Sequence, residues 1–330
     1  MRFNENSIGS KYLLISPCRN EAGYMEVTLD SVVKQSVQPA KWIIVDDGSS
    51  DATPEILSRY AEKYDFIEVI TREDRGYRAV GPGVIDAFYS GLESAQLADY
   101  EFLCKLDLDL DLPERYFEIL IQRMNQNRRI GTCSGKAYFR DPADAQRLVS
   151  EYCGDESSVG MTKFYRISCF KQIGGFVRQV MWDGIDSHRC RLLGWISCSW
   201  DDLPLRFIHL RPMGSSQKSI VAGRIRHGFG QYFMGTSLIY MIAVSVNRMN
   251  KYPYVLGAFA MLWGYVKSGL TRGERLDDPK MRSFLRSYQW RALLVGKHRA
   301  TDEFNKRQAN AWNPEASGYE MPVASAADAQ

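Results

Sequence analysis

Short apolar runs alternate with amphipathic segments through the first hundred residues. The runs have the length and the β-branched content of buried strands, and they fall at residues 12–16, 42–45, 66–71 and 102–106. Between them, apolar residues recur at the three- and four-residue spacing of helices, for example from Val84 to Ala95. Strands that alternate with helices predict an α/β domain: a mostly parallel sheet with right-handed crossovers and helices on both faces.

The fourth apolar run continues into three aspartates that alternate with leucines: Asp107, Asp109 and Asp111. In an extended strand, alternate side chains lie on one face about 6.5 Å apart, and like charges on one face repel. The pattern therefore indicates a bound cation. Hard divalent cations take carboxylate oxygens and substrate phosphates, and open α/β sheets bind ligands at their strand ends. We predict a divalent metal site here.

Three other interpretations of these aspartates compete with a metal site. An EF-hand loop would use the three aspartates and Glu118 as ligands, but it requires Gly where Leu112 stands. A solvated edge strand would need no ligand. Pro113 could also open a helix with Asp111 near its N-cap, which would use one aspartate and leave two for a metal.

Polar residues that suit a nucleotide follow two other predicted strands. Asp46 ends the second strand, and a carboxylate accepts the imide N–H of a base such as uracil, although Asp also commonly forms turns there. The Gly-rich loop after the third strand holds three arginines that suit either phosphates or solvent: Arg72, Arg75 and Arg78. Neither G-x-G-x-x-G nor a P-loop occurs, which argues against a dehydrogenase and a P-loop NTPase.

Two uncharged runs of fifteen residues, 232–246 and 252–266, stand in the C-terminal third. As helices they would be about 22 Å long, shorter than the roughly 30 Å hydrocarbon core of a bilayer. Residues 219–310 hold fifteen Lys or Arg and five Asp or Glu, a net charge of +10, whereas the whole chain has +3 and the remainder therefore −7. We predict a basic membrane-interface segment; a buried hairpin or a dimer interface is the alternative.

Composition restricts the class of protein and its compartment. A hydrophobic content of 45% and a charged content of 25% are those of a globular protein. The seven cysteines are scattered and form no C-x-x-C pair, which indicates reduced thiols. The N-terminal apolar stretch is too short for a signal peptide, so we expect a cytoplasmic protein, peripheral on the inner face of the cell membrane.

Five short motifs follow one another between residues 15 and 195: ISPCRNEAG, IIVDDGSSDAT, LDLDLDLP, GGF, and WDGID with RCRLLGW. Their order resembles the family 2 nucleotide-sugar glycosyltransferases of the GT-A fold. The resemblance implies that four residues after the first two strands hold the nucleoside: Pro17, Arg19, Glu21 and Asp46. It also implies that Asp107 and Asp109 bind the ribose and a divalent metal on the diphosphate.

The same resemblance suggests a catalytic base. An inverting transferase needs a carboxylate that removes the proton of the acceptor hydroxyl. Counting back from Arg189 and the Gly-Trp pair after it, Asp183 matches the catalytic Asp of the family. Trp182 stands where the family has an acidic residue, so Asp186 is the alternative base, unless it caps a helix instead.

Other polar residues of the second half have two interpretations each. Lys163 and Tyr165 suit packing or the surface, and His209 suits a satisfied, partly buried histidine because no second His or Cys stands at metal-ligand spacing. Three residues on one predicted helical face either close over a diphosphate or form a solvated stripe: Arg224, His227 and Gln231.

The sequence thus predicts a GT-A catalytic domain over residues 1–218, a basic helical segment over 219–310 and a disordered tail over 311–330. The predicted activity is inverting, Mn²⁺- or Mg²⁺-dependent transfer of a sugar. We expect a UDP-sugar as donor and a lipid-linked or oligosaccharide acceptor in bacterial surface polysaccharide assembly. The alternatives are a non-catalytic nucleotide-binding scaffold and a sugar nucleotidyltransferase; oligomers are compatible with the sequence, and nucleic acid is not an expected partner.

Overall fold

The computed structural model of the protein describes residues 10–76, 81–141, 143–211, 219–250 and 254–320. Its strands are, in chain order, β1 Tyr12–Cys18, β2 Lys41–Asp46, β3 Ile67–Thr71, β4 Phe102–Leu106, β5 Leu110–Asp111, β6 Ile130–Ser134, β7 Lys136–Asp141, β8 Asp144–Ser150, β9 Thr162–Arg166, β10 Ile196–Ser199 and β11 Arg206–His209. Its helices are α1 Met25–Val33, α2 Thr53–Lys63, α3 Pro82–Glu93, α4 Tyr116–Gln126, α5 Ile167–Gln172, α6 Trp182–Leu192, α7 Ile220–Met234, α8 Leu238–Arg248, α9 Tyr254–Leu270, α10 Pro279–Val295 and α11 Lys297–Arg307.

A seven-stranded sheet with the order β10-β6-β9-β4-β1-β2-β3 forms the centre of the molecule. Strands β4, β1, β2 and β3 pair in parallel, and β10 pairs in parallel with β6. Strand β9 runs antiparallel to both of its neighbours. The predicted α/β class with a mostly parallel sheet is therefore confirmed.

The sheet is buried on both faces, which explains why its strands read as continuous apolar runs. Leu14 of β1 packs in one layer with Leu29 and Phe117, beneath α1, α2 and α4. Its neighbour Leu13 packs in the other layer with Phe88, beneath α3, α5 and α6. Alternate residues of one strand thus supply two different cores, so no polar face interrupts the run.

The three alternating aspartates do not share a strand, which corrects the prediction. Strand β4 ends at Leu106, and β5 belongs to a second, four-stranded sheet with the order β5-β11-β7-β8. The leucines between the aspartates are buried, and the Leu110 N–H donates to Thr28 Oγ1 at 2.8 Å, which holds this segment against α1. Asp109 consequently lies in the bend between two sheets, apart from Asp111 in β5.

The helix-cap and EF-hand interpretations of this stretch are also wrong. Helix α4 begins at Tyr116 with Arg115 before its first turn, so Asp111 is not its N-cap. Glu118 forms an ion pair with Arg115 at 2.6 Å instead of reaching back to an EF-hand loop.

A single residue separates the end of β6 in the first sheet from the start of β7 in the second sheet. The chain turns at Gly135, which separates β6 in the first sheet from β7 in the second. A Cβ at Gly135 would lie 1.8 Å from the carbonyl oxygen of Leu205, so only glycine fits this close approach of two backbones.

The C-terminal helices pack on α6. Ile185 of α6 belongs to one buried cluster with Phe233, Met281 and Leu285 from α7 and α10. Helix α7 ends at Met234 and α8 begins at Leu238, because Gly235 adopts a left-handed conformation with φ 91°. The apolar run 232–246 is therefore broken. Among the described residues, no helix combines the length and apolar character that crossing a bilayer requires.

Residues 313–320 pack against the end of α5, unlike the disordered tail that we expected from residue 311. The Gln172 side-chain amide donates to the carbonyls of Asn313 and Ala316 at 2.7 and 2.8 Å, and Tyr319 N donates to the Gln172 carbonyl at 2.8 Å. The expectation fails here because backbone groups, which composition does not register, supply these bonds. Residues 321–330 lie outside the described residues.

Candidate active site

The loops after β1 and β2 lie side by side because these two strands pair in parallel. Pro17 is half-buried within β1, opposite Val45 of β2. Asp46 is buried at the end of β2, where its Oδ1 accepts the Ser49 N–H at 2.9 Å. The guanidinium of Arg19 donates to the backbone carbonyl of the residue after Asp46, at 2.6 Å. Asp46 therefore does form the turn that was one of its two interpretations, and its contact with a nucleoside stays a prediction.

The arginines predicted to approach phosphates meet a carboxylate of the same loop. Arg72 Nη1 lies 2.9 Å from Asp47 Oδ1, and Arg75 forms an ion pair with the other oxygen of Asp47. Both guanidiniums are thereby held beside the end of β2, and Arg78 lies outside the described residues. This leaves Arg75 at the edge of the predicted nucleotide site, with one carboxylate already beside it.

Arg211 connects the first loop to the aspartate bend. Its Nη2 donates to Glu21 Oε1 at 2.6 Å, and its Nε donates to Asp109 Oδ2 at 2.6 Å. His209 contacts the same oxygen of Asp109 through Nε2 at 3.3 Å and Glu151 through Nδ1 at 3.0 Å. Burial alone would lower the pKa of His209, but these two carboxylates outweigh it and raise the pKa to about 9.

His209 and Arg211 were missed as site residues. His209 is buried and satisfied as expected, but its partners are the aspartate of the predicted metal site and Glu151. Glu151 and Asp109 lie 58 and 100 residues before His209 in the chain. The available signal was a His and an Arg two residues apart at the end of a short apolar segment, because alternate side chains of an extended chain lie on one side.

Asp107 and Asp109 differ in their surroundings. Burial and the nearby Asp109 raise the pKa of Asp107, which Lys105 opposes by an ion pair with its Oδ1. Burial also disfavours the charge of Asp109, but His209 and Arg211 outweigh it and lower its pKa below the ordinary value. The second oxygen of Asp109, Oδ1, is buried and has no hydrogen-bond partner among the described residues.

The unpartnered Oδ1 of Asp109 bears on whether these residues suit a metal ion. A buried carboxylate oxygen without a partner is costly, and a hard cation is a suitable ligand for it. Within the described ranges, no three His, Cys, Asp or Glu side chains form a complete ligand set. Mg²⁺-type sites, however, need only one or two carboxylates when substrate phosphates supply the rest, so Asp107 and Asp109 fit a metal that arrives with a diphosphate.

Asp183 lies in the first turn of α6 and is half-buried. Met181 before the helix has a left-handed backbone with φ 65°, which redirects the chain into α6. The described hydrogen bonds of Asp183 are made by its carbonyl, which accepts from Lys163 Nζ at 2.8 Å and Ser187 Oγ at 3.0 Å. Its carboxylate lies against Gly160, where a Cβ would be 3.1 Å from Oδ2. No hydrogen bond to the Asp183 carboxylate occurs among the described residues.

Asp186 is engaged in the core. Both of its carboxylate oxygens lie 2.5 Å from Lys163 Nζ, and the Tyr165 hydroxyl donates to Oδ2. Burial raises the pKa of Asp186, which Lys163 opposes. Asp186 lies inside α6, so it is not an N-cap. Lys163, expected among packing or surface residues, is fully buried and neutralises this carboxylate.

Helix α7 packs against Met181, the residue that precedes α6. Gly230 of α7 lies so close to Met181 that a Cβ would be 2.4 Å from Met181 Cγ. Gln231 is half-buried; its Oε1 accepts from Thr236 Oγ1 at 2.6 Å and its Nε2 lies 3.4 Å from His227 Nε2. The solvated stripe and the closure of this face over a diphosphate both stay predictions.

Comparison with known proteins identifies the family. Residues 14–182 match the model described as Glycosyl transferase family 2. The chain is 30% identical over 125 residues to poly-beta-1,6-N-acetyl-D-glucosamine synthase of Staphylococcus aureus (strain MSSA476), which is 38% of this chain and 28% of that protein. It is 30% identical over 122 residues to the putative glycosyltransferase EpsH of Bacillus subtilis (strain 168), or 37% of this chain and 33% of that protein. The chain thus spans about a third or less of each relative's length.

A solved structure shares the fold. The crystal structure of GalNAc-T7 with UDP, GalNAc and Mn2+ matches 82% of this chain and 58% of that chain, with a TM-score of 0.52 and 13% sequence identity. The family match covers 169 of the 330 residues and ends at Trp182, the first residue of α6 and the residue before Asp183. The chain therefore belongs to glycosyl transferase family 2 and has a GT-A-like fold.

Proposed function

We propose that this glycosyltransferase moves a sugar, with inversion, from a nucleotide-sugar donor to an acceptor hydroxyl, and that Asp183 is the catalytic base. The observation that carries this proposal is the contrast between two carboxylates of one helix. Asp186 is buried and held by Lys163 and Tyr165, whereas the Asp183 carboxylate is half-buried and stands at the start of α6. Only Asp183 can meet an acceptor without breaking a buried ion pair.

The residues around it would bind and orient the donor. Glu21 and Asp46, at the ends of the first two strands, would accept N–H or O–H groups of the nucleoside, for which a uracil base is suitable. Asp107 and Asp109 would hold Mn²⁺ or Mg²⁺ together with the diphosphate. The metal would supply charge neutralisation for the departing diphosphate. Asp183 would take the proton of the acceptor hydroxyl as that oxygen attacks the anomeric carbon from the opposite side.

A donor screen tests the reaction class. The full chain is incubated with a panel of nucleotide sugars, UDP-sugars first, and Mn²⁺ or Mg²⁺, and release of nucleoside diphosphate is measured together with the thermal unfolding temperature. We expect one donor to raise the unfolding temperature, because a ligand that binds only the folded state stabilises it, and to turn over. A donor that stabilises the protein while no acceptor class gives turnover would favour the scaffold; release of pyrophosphate from a nucleoside triphosphate would favour the nucleotidyltransferase.

Asp183→Asn tests the base. The variant keeps the volume of the side chain but cannot take a proton, so we expect kcat to fall at least about a hundredfold with an unchanged donor dissociation constant. Asp186→Asn is the matched variant one helical turn along. We expect it to lower the unfolding temperature because Lys163 then keeps a buried charge without its carboxylate. An Asp183→Asn enzyme that retains most of its kcat would remove Asp183 from this role.

We also propose that the acceptor is lipid-linked and that the protein works at the inner face of the cell membrane, in surface polysaccharide assembly. Support comes from α8 and α9, which expose many large apolar side chains, among them Leu238, Ile239, Ile242, Val246, Leu256, Phe259 and Trp263. The segment 219–273 contains six Lys or Arg and no Asp or Glu. Apolar faces that contain tryptophan and are flanked by Lys or Arg are typical of helices that lie in a bilayer interface. A second copy would bring like charges together, which disfavours a symmetric dimer at this face.

Flotation with vesicles tests the location. We expect the protein to float with vesicles that contain anionic lipid, and to be released by salt, because screening weakens attraction to headgroups. Replacing Phe259 and Trp263 by Ser should weaken binding about tenfold or more, since each side chain loses a buried apolar contact. Leu203→Ser, an exposed apolar residue of the catalytic domain, is the control. If the protein does not bind vesicles but dimerises through this face, the apolar face contacts a second copy of the chain and not a membrane.

A further inference from the structure

Two buried lysines stand directly opposite each other on neighbouring strands of the main sheet. Lys105 of β4 pairs in register with Lys163 of β9. Both are almost fully buried, with 3% and 0% of their surface exposed. Opposed side chains of an antiparallel pair share one face of the sheet, where like charges destabilise the pairing. Two lysines in this position therefore need a separate carboxylate each, and the structure provides them.

Lys163 is bound to the helix that carries Asp183. Its ammonium lies 2.5 Å from both oxygens of Asp186 and donates to the backbone carbonyl of Asp183 at 2.8 Å. It also lies 3.3 Å from Ser187 Oγ. One ammonium group therefore contacts three residues near the start of α6: Asp183, Asp186 and Ser187. Because Lys163 is itself fixed in the sheet, these contacts fix the first turn of α6 relative to β9.

Lys105 is bound to the donor side of the site. Its ammonium pairs with Asp107 Oδ1 and donates to the Gly160 carbonyl at 3.2 Å. Gly160 is the residue that lies against the Asp183 carboxylate. The indole ring of Trp182, next to Asp183, has the two ammonium groups at 5.3 and 5.7 Å from its centroid, which is cation–π distance.

We propose that Lys105 and Lys163 are positioning residues. They hold the candidate base, Asp183, and the candidate donor-binding aspartate, Asp107, in fixed positions relative to each other. Lys163 acts on Asp183 through the backbone of α6, and Lys105 acts on Asp107. Neither ammonium group is exposed to a substrate. The proposal rests on the proposed function, because it takes Asp183 as the base. It assigns the two lysines separable effects: Lys163 on the chemical step and Lys105 on donor binding.

Steady-state kinetics and calorimetric donor titration of Lys163→Met and Lys105→Met measure this separation. Methionine keeps the length of the stem and removes the ammonium. We expect Lys163→Met to lower kcat about tenfold or more with a donor dissociation constant within about twofold of wild type, because a misplaced base slows only the step it takes part in. We expect Lys105→Met to change the donor dissociation constant by at least about fivefold, because Asp107 loses its cation.

A double-mutant cycle with Asp183→Asn distinguishes positioning from general damage. If Lys163 acts through Asp183, then adding Lys163→Met to Asp183→Asn should lower kcat no further. A structural role alone would lower kcat by the same factor in both backgrounds. Arg166→Met is the matched control, since Arg166 is a buried cation on the same strand and pairs with Glu101 at 2.9 Å instead of with α6. It should leave kcat per folded molecule unchanged.

Loss of one lysine could unfold the protein, so a paired variant keeps the test decisive. Lys163→Met with Asp186→Leu removes both charges of the buried pair, which conserves the fold better than removing one. This folded variant should remain slow, because the Asp183 carbonyl has still lost its ammonium donor. Full kcat in the paired variant, or additive losses in the cycle, overturns the inference. An Asp183→Asn enzyme with wild-type kcat overturns the proposed base instead, and a wild-type protein without donor turnover overturns the proposed reaction.

Discussion

Gly160 packs against the carboxylate of Asp183 and leaves little room for a side chain. An added Cβ would lie 3.1 Å from Asp183 Oδ2, so the carboxylate would have to move by a few tenths of an ångström. Because small displacements of a reacting group reduce the fraction of productive geometry, we expect Gly160→Ala to lower kcat roughly tenfold. Donor affinity and the unfolding temperature should stay close to wild type.

The matched control for this substitution is Gly23→Ala in the loop after β1. An added Cβ there has nothing within 4 Å, so kcat should not change. Single-turnover kinetics at saturating donor give the comparison. A Gly160→Ala enzyme as fast as Gly23→Ala would show that the Asp183 carboxylate does not have to stay where it is.

At this scale, the sequence predicts residues better than their partners. Asp109 and Asp183 have the local motifs from which a role can be proposed. The engagement of Asp186 was not predictable, because Lys163 and Tyr165 reach it from an antiparallel strand 21 to 23 residues away. Arg211 was missed for the same reason, since Glu21 lies 190 residues before it. Long-range ion pairs leave no periodic signal in the chain.

Among the elements, long apolar runs were predictable and short strands were not. Strands β1, β2 and β4 are buried on both faces and read as continuous apolar segments. The second sheet includes two short strands, β5 and β11, of two and four residues, which are too short for a period to appear. Its position depends on the close approach at Gly135, which only the folded chain shows.

Helices α7 and α9 cross at two glycines that allow their backbones to touch. A Cβ at Gly228 would lie 2.0 Å from the Met261 carbonyl oxygen, and a Cβ at Gly264 would lie 2.1 Å from that of Ile225. We expect Gly228→Ala to force the helices apart and to lower the free energy of unfolding by about 1–3 kcal/mol. Chemical denaturation with the change in midpoint measures this cost.

Gly269→Ala provides the comparison within α9. Its added Cβ would meet Tyr232 at 3.5 Å, an ordinary contact, and alanine is the better helix former by about 0.5–1 kcal/mol. Its unfolding midpoint should therefore equal or exceed that of wild type. Equal losses in both variants would mean that helix propensity, and not the crossing, determines the result.

Across the whole molecule, the C-terminal segment joins elements that are far apart in the chain. Besides the bonds to Gln172, the ring of Tyr319 lies 4.2 Å from the guanidinium carbon of Arg189 in α6. Trp312 packs against Trp195 with the ring centroids 5.6 Å apart. A polar, proline-containing sequence hides such a role, because the contacts are made by its backbone and by single aromatic residues.

Removal of residues 313–320 should destabilise the protein. The reference is a chain that ends at Glu320, and the test is a chain that ends at Trp312. We expect the shorter chain to lose about 2–4 kcal/mol of unfolding free energy. The lost contacts are three hydrogen bonds of about 0.5–1.5 kcal/mol each and the contact of the Tyr319 ring with Arg189. Calorimetric or denaturant unfolding compares the two; identical stabilities would show that this segment is only loosely attached.

Helix α6 carries Asp183 at its start and shares Ile185 with the cluster formed by α7 and α10. Helix α6 therefore carries the candidate catalytic base and also packs on α7, which in turn crosses α9, one of the two helices with exposed apolar faces. Thermodynamic reciprocity then constrains the two binding events. Whatever factor vesicles impose on donor affinity, the donor must impose on vesicle affinity, and a factor of one in either direction requires a factor of one in the other.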